Sequence, residues 1–146
     1  KRIKIDIIGD NHNEFEIKRL VESLGLSDRV CFHEGIVDDE ILKSFFKTSY
    51  AFVSPGHVGL GVVHAFAYGI PVITCVNENH AQEFYYLNKK NSIIYENHDE
   101  LPSILLDCVN NYDKNIGNNA YKSYTSFYKI DNMLKGFTDS INYVLG

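Results

Sequence analysis

Residues able to do chemistry gather in one stretch of this chain, Ser54-Pro55-Gly56-His57-Val58-Gly59-Leu60-Gly61-Val62-Val63-His64. It holds two imidazoles and three glycines. A neutral imidazole can donate or accept a hydrogen bond at a hydroxyl, and glycine lets the backbone come close to a ligand. An apolar helix pattern follows and ends near Tyr68, with Gly69 as its stop. The first turn of such a helix presents unpaired N–H groups and a positive dipole end, which suit a diphosphate. Gly59, Leu60 and Gly61 are therefore candidate backbone contacts to phosphate or sugar. A glycine-rich loop before a helix is by itself a weak signal, because a tight turn needs the same residues. His57 in the loop and His64 at the helix opening are the candidate side chains. A second group is His80 and Glu83 at i, i+3, with Glu78 and His12 also available as metal ligands. No Asp-x-Asp or His-Glu-x-x-His motif accompanies them, so no metal site is expected.

These residues need elements to hold them, and the sequence alternates strand and helix patterns throughout. Ile3 to Ile8 reads as a first strand, followed by the turn signal Gly9-Asp10. Ile17, Leu20, Val21 and Leu24 recur at helical spacing, and Gly25 can end that helix in a left-handed cap. Arg29 to His33 suits a second strand, and Asp38 can cap a helix whose apolar face is Ile41, Leu42, Phe45 and Phe46. Strands are expected at 50–53, 71–75 and 92–95, with a short helix around 82–87. Leu101, Ile104, Leu105, Cys108 and Val109 mark an amphipathic helix; Ile130, Leu134, Phe137, Ile141 and Val144 mark a last one. The polar stretch 110–119 between them reads as a connection. Such alternation implies an α/β fold, a Rossmann-like parallel sheet with helices on both faces. Ligands of these sheets bind at the carboxyl ends of the strands, here the loops 9–13, 35–38, 54–61 and 76–83.

Composition narrows the function. The chain has 146 residues, one ordinary domain, and its net charge of −5 gives no support to nucleic-acid binding. The tyrosines at 85, 86, 112, 121, 124 and 128 form no stacking-platform motif. No apolar run is long enough to span a bilayer, and Lys1 runs directly into a strand pattern with no leader before it. Cys31, Cys75 and Cys108 are odd in number and widely spaced, and read as three buried, reduced thiols, which fits the cytoplasm.

The stretch from Ser54 to Thr74 resembles the donor-binding domain of GT-B glycosyltransferases of family 4, the glycosyl transferases group 1. Gly59-Leu60 matches that family's Gly-Leu, and Ala65-Phe66-Ala67-Tyr68-Gly69-Ile70-Pro71-Val72-Ile73 its helix-and-strand signature. Ile7-Ile8-Gly9-Asp10 is similar to its Ile-Gly-Asp-Gly turn, Leu24-Gly25-Leu26-Ser27-Asp28-Arg29-Val30 to its Leu-Gly-Leu-x-Asp-Arg-Val, and Phe32 to Val37 to its Phe-x-Gly-x-Val. The resemblance covers about residues 1–110. It implies donor contacts for His57, Gly59, Leu60, Gly61 and His64, backbone contacts to the base at Val37, and a donor-sugar or phosphate-side role for Glu83.

There are departures. The family's Glu-x7-Glu pair, which tends the donor sugar and the ribose hydroxyls, falls on Gly56 and His64. His64 can still hydrogen-bond a ribose hydroxyl, whereas Gly56 offers only backbone, which shifts sugar recognition to His57 or neighbouring N–H groups. The family's basic pair, an Arg and a Lys facing the leaving diphosphate, is expected before residue 1, so the catalytic residues are unknown within this chain. The acceptor-binding N-terminal domain is likewise absent, making 1–146 a single-domain fragment with residues 113–146 as its C-terminal helical tail. In the family that tail crosses back to the N-terminal domain.

The resemblance implies no cofactor and a nucleoside-diphosphate sugar, UDP- or GDP-linked, as donor. It further implies a retaining, metal-independent transfer to a sugar or lipid-linked acceptor, in surface polysaccharide assembly. The expected place is the cytoplasm or the inner face of the membrane, with peripheral membrane association open to the full protein. The rivals are a GT-B nucleotide-sugar epimerase, separable by incubation with donor and no acceptor, and a non-catalytic Rossmann-like interaction module.

Overall fold

The computed structural model describes residues 3–9 and 14–146. The expected turn at Asp10, most of the loop 9–13 and the candidate ligand His12 lie outside the described residues. The chain forms two compact units, Lys1–Phe45 and Phe46–Gly146.

The first unit contains strand β1 (Ile5–Ile8), helix α1 (Glu14–Ser23) and strand β2 (Val30–His33). The strands pair in parallel, in register from Ile5 with Val30 to Ile8 with His33. Gly25 takes φ +65°, and the Leu26 N–H donates to the Val21 carbonyl at 2.9 Å, the left-handed stop read from the sequence. Asp38 caps helix α2 (Asp39–Thr48) by accepting from the N–H groups of Glu40 and Ile41 at 2.9 and 3.0 Å. Cys31 is exposed, contrary to the expectation of three buried thiols. Side chains alternate across a strand, so Cys31 shares a face with its register partner Asp6 and with His33. His33 Nε2 donates to Asp6 Oδ1 at 2.8 Å, so that face carries a polar pair rather than a core.

The second unit is built on strands β3 (Phe52–Ser54), β4 (Val72–Cys75) and β5 (Ser92–Tyr95), all parallel with β4 in the middle. Every β4 residue is buried, as a central strand covered on both faces requires. Ile73, Cys75 and Tyr95 cluster with Leu101, Ile104, Leu105 and Cys108 of helix α4 (Leu101–Asn110). The opposite face carries Phe52 and its register partner Val72 beneath helix α3 (Gly61–Ala67), where Phe52 lies against Gly61. Val62, Ala65 and Phe66 of α3 are buried there. Helices thus cover both faces of this parallel sheet, as expected.

The stretch 110–119 is not a plain connection: helix α5 occupies Lys114–Ser123. Asp113 caps it by accepting from the Asn115 N–H at 2.8 Å. Its buried face is only Gly117 and Ala120, two small residues that let α5 lie close to the end of α3 at Gly69. A helix buried through two small residues lacks the apolar stripe from which helices are read. A buried polar node ties it to β5. Asn91 accepts from the Asn88 N–H and the Ser92 hydroxyl, and its amide donates to the Tyr86 carbonyl and to Ser123 Oγ. One wide turn (Tyr124–Tyr128) leads to helix α6 (Ile130–Leu145), in which Ile130, Leu134, Phe137, Ile141 and Val144 are all exposed. Among the described residues no helix is long and apolar enough to cross a membrane.

Candidate functional site

The carboxyl ends of β3 and β4 open into the two loops that hold most of the residues singled out in the sequence. The first, Pro55 to Leu60, is anchored by Val58, which is 1% exposed and acts as a hydrophobic peg. Ser54 Oγ closes the loop by donating to the His57 carbonyl at 2.8 Å. The second loop, Val76 to Ala81, is stitched to the first through three hydrogen bonds. His57 Nδ1 lies 2.8 Å from the Asn79 carbonyl, the Val58 N–H donates to His80 Nδ1 at 3.2 Å, and the Ala81 N–H donates to the Val58 carbonyl at 3.0 Å.

These contacts fix both imidazoles. A carbonyl can only accept, so His57 carries its proton on Nδ1 and presents Nε2 as an acceptor. His57 is exposed, and its ring flanks Gly59. His80 is the reverse: Nε2–H donates to the Cys75 carbonyl at 2.7 Å while Nδ1 accepts from Val58. Its ring also stacks on Phe84, with centroids 4.2 Å apart and an interplanar angle of 1°. Both ring nitrogens of His80 are thus committed to the backbone, and it serves as a clasp between loops rather than as a metal partner of Glu83.

A Cβ on Gly61 would meet Phe52 Cζ at 2.8 Å, so a side chain there would require the Phe52 ring to shift. Val62 and Val63 N–H donate to the Gly59 and Leu60 carbonyls, which leaves the N–H groups of Gly59, Leu60 and Gly61 without partners among the described residues. Leu60 is exposed, and His64 is exposed one turn into α3 with no side-chain partner among the described residues. Glu83 is half-buried in the 3-10 turn Gln82–Tyr86 that ends the second loop. The structure therefore brings His57, Gly59, Leu60, Gly61 and His64 together on one strand–loop–helix unit and sets the loop leading to Glu83 beside it. Val37 belongs to the first unit, where it follows β2 and is 95% exposed.

Several buried groups around this sheet are held in their neutral forms. Burial, and then the nearby Cys75, Glu78 and Glu100, raises the pKa of Tyr95 above its ordinary 10.0. Burial raises Tyr112 and Tyr128 in the same direction. Burial and the Asp107 carboxylate raise the Cys108 thiol above 9.0.

Two depressions lie away from the carboxyl ends of the strands. One of about 190 Å³ is bordered by Asn88, Lys90, Asn119 and Lys122 near the start of β5; another of about 90 Å³ is bordered by Pro71, Cys108 and Tyr112. The loop pair is an open shelf rather than a closed pocket. It carries the N–H groups of Gly59, Leu60 and Gly61, unpartnered among the described residues, and the acceptor nitrogen of His57. Sequence reasoning overlooked Cys75 and His98 as chemical partners. The fold places them with Glu78 at the ends of β4 and β5, with all three donor atoms within 4.8 Å of one another.

The fold recurs in solved structures. HepE from Anabaena, in complex with UDP, superposes with a TM-score of 0.78 at 18% identity, over 97% of this chain and 41% of its own. The pneumococcal O-GlcNAc transferase GtfA, in complex with UDP and GlcNAc, gives 0.74 at 14% identity, over 97% of this chain and 29% of its own. The lipopolysaccharide outer core galactosyltransferase WaaB, in its apo form, gives 0.74 at 18% identity, over 96% and 40%. This chain spans less than half the length of each. No curated protein matches it in sequence. The model of the glycosyl transferases group 1 matches residues 1–123, most of the chain. With its strand–loop–helix signature in place and most of its length matched, the chain belongs to the glycosyl transferases group 1 family.

Proposed function

We propose that this chain is the donor-binding, C-terminal domain of a glycosyltransferase, with residues 113–146 as its helical tail. The observation that carries the reading is the family match over residues 1–123, which includes the glycine-rich loop at the end of β3. The three unpartnered N–H groups at Gly59, Leu60 and Gly61 face a diphosphate in this reading. His64 bonds a ribose hydroxyl, His57 Nε2 accepts from a sugar hydroxyl and Glu83 lies on the sugar side. UDP is the first candidate nucleotide, because HepE and GtfA were solved with UDP; a GDP-sugar is the alternative.

In the whole protein, the bond from the anomeric carbon to the diphosphate oxygen breaks. A bond from that carbon to the acceptor oxygen forms with retention, and the acceptor proton passes to the departing diphosphate. No divalent metal takes part in that transfer. Developing charge on the diphosphate is met by the loop N–H groups and by a basic pair supplied from elsewhere in the protein. We place the protein at the cytoplasmic side, acting on a sugar or lipid-linked acceptor in surface polysaccharide assembly.

Calorimetric titration of this chain with UDP, GDP and ADP tests the reading. Saturable binding of one diphosphate, weakened about tenfold or more by His64→Ala through loss of a hydrogen bond to the ligand, is expected. Binding that ignores His64→Ala would remove that residue's role. Absence of binding by this chain and by the full-length protein alike would overturn the donor-domain reading.

A further inference from the structure

We propose that Cys75, Glu78 and His98 form a site for a single zinc-class divalent ion, built where the ends of β4 and β5 meet. The site shares the Val76–Ala81 loop with the donor shelf through Glu78, but it does not rest on the glycosyl-transfer reading. Cys75 is the last residue of β4, Glu78 follows three positions later, and His98 follows Tyr95, the last residue of β5, by three. Their Sγ, carboxylate oxygen and ring nitrogen all lie within 4.8 Å of one another. His98 Nε2 and Glu78 Oε1 are already 2.9 Å apart.

A thiolate, a carboxylate and an imidazole are a recurring zinc donor mixture, and a tetrahedral ion with ordinary zinc bond lengths separates its ligand atoms by about 3.3–3.6 Å. The Glu78–His98 pair must therefore open by about 0.5 Å and the wider pairs close by up to about 1.2–1.5 Å. Glu78 and His98 are both partly exposed and can make that adjustment. The thiolate and the carboxylate balance the two charges of the ion, and the fourth position is left to water.

The surroundings hold the donors in place. Val76 N–H donates to the Tyr95 carbonyl at 2.8 Å, which carries the ladder one step past the strands. Asn77 Nδ2 donates to the Glu96 carbonyl at 2.9 Å, and the Cys75 thiol points at the same oxygen at 3.5 Å. Glu100 accepts from the Glu96 and Asn97 N–H groups and Asn97 accepts from Asp99 N–H, which locks the turn that carries His98. A second observation is independent of the three donors. Tyr95 is 2% exposed, its hydroxyl has no partner among the described residues, and its ring centroid lies 5.9 Å from that of His98. A buried hydroxyl left without a partner is a group that a ligand of the neighbouring site could satisfy.

Binding expels the Cys75 thiol proton to solvent and leaves the His98 ring proton on Nδ1. The ion would clamp the β4 loop, which carries Asn79 and His80, to the turn after β5.

The test is titration of the full chain with Co²⁺ and Zn²⁺, each alone. Co²⁺ is expected to saturate at one ion per chain with a sulfur-to-cobalt charge-transfer band, and Zn²⁺ to displace it. The band should persist in Cys31→Ser, which removes the exposed thiol of the other unit, and vanish in Cys75→Ser. His98→Gln changes an exposed residue and leaves the core intact; it should weaken the ion by about 100-fold through loss of one of three protein ligands. A band that follows Cys31, no band at all, or an affinity untouched by His98→Gln would overturn the proposal.

Discussion

Two glycines inside helices should respond to alanine with opposite signs. Gly→Ala in a helix interior ordinarily gains about 1 kcal/mol, because alanine restricts the unfolded chain and favours the helix. Gly136 in α6 has nothing within 4 Å of a built Cβ, so Gly136→Ala should show that gain as higher helical ellipticity without lowering the unfolding midpoint. Gly117 in α5 is different. Its Cβ would sit 2.5 Å from the Gly69 carbonyl oxygen and 3.1 Å from Tyr112 Oη. Gly69 is itself fixed at φ +69° as the stop of α3, so its carbonyl cannot retreat without undoing that turn. Overpacking of this kind costs about 1–3 kcal/mol, and a backbone oxygen as the obstacle puts it at the upper end. Setting that against the helix gain of about 1 kcal/mol leaves a net loss of about 2 kcal/mol for Gly117→Ala, or roughly 10 °C in Tm for a unit of this size. The assay can be confined to the right unit, because all ten tyrosines lie between Tyr50 and Tyr143. Tyrosine fluorescence during thermal unfolding therefore follows Phe46–Gly146 alone. A Gly117→Ala midpoint equal to or above that of the parent chain would refute the close packing of α5 on the end of α3.

Other outcomes follow from the same structure. His80→Ala orphans the Val58 N–H and the Cys75 carbonyl and removes the stack on Phe84; a loss of about 2–4 kcal/mol is expected in urea unfolding, and a loss under 0.5 kcal/mol would contradict the clasp. Thr74 Oγ1 is buried without a partner among the described residues, so Thr74→Val should stabilise the unit by about 1 kcal/mol, seen as a higher Tm. Burial raises Cys108, Tyr95, Tyr112 and Tyr128 above their ordinary 9.0 and 10.0, so the unfolded chain releases these protons first. Their stabilising effect is whole below about pH 9 and is lost as pH rises through the folded values; urea midpoints by circular dichroism should fall between about pH 8.5 and 11, and equal midpoints would count against buried neutral hydroxyls.

Most of the fold is written in local patterns that need no tertiary information. Gly25 and Gly69 end their helices in left-handed turns because glycine alone adopts that conformation cheaply, and Asp38 caps α2 because its carboxylate reaches the first free N–H groups. The run Pro71 to Cys75 is apolar apart from Thr74 because a central parallel strand is buried on both faces. Together with the family signature from Gly59 to Ile73, these features made the α/β class and the strand–loop–helix shelf legible. Tertiary structure decided what depends on partners far apart in sequence. Helix α5 forms where the pattern is polar, because its contact is a close approach through Gly117 rather than an apolar stripe. Cys31 is exposed although it lies in an apolar run, because register places it beside Asp6. The roles of the histidines were divided the same way. His57 keeps a free nitrogen because only one of its two finds a carbonyl, whereas both nitrogens of His80 are taken by backbone groups, one in the loop after β3 and one at the end of β4. Cys75, Glu78 and His98 meet only because β4 and β5 lie side by side; no spacing in the chain announces a contact made by strand pairing.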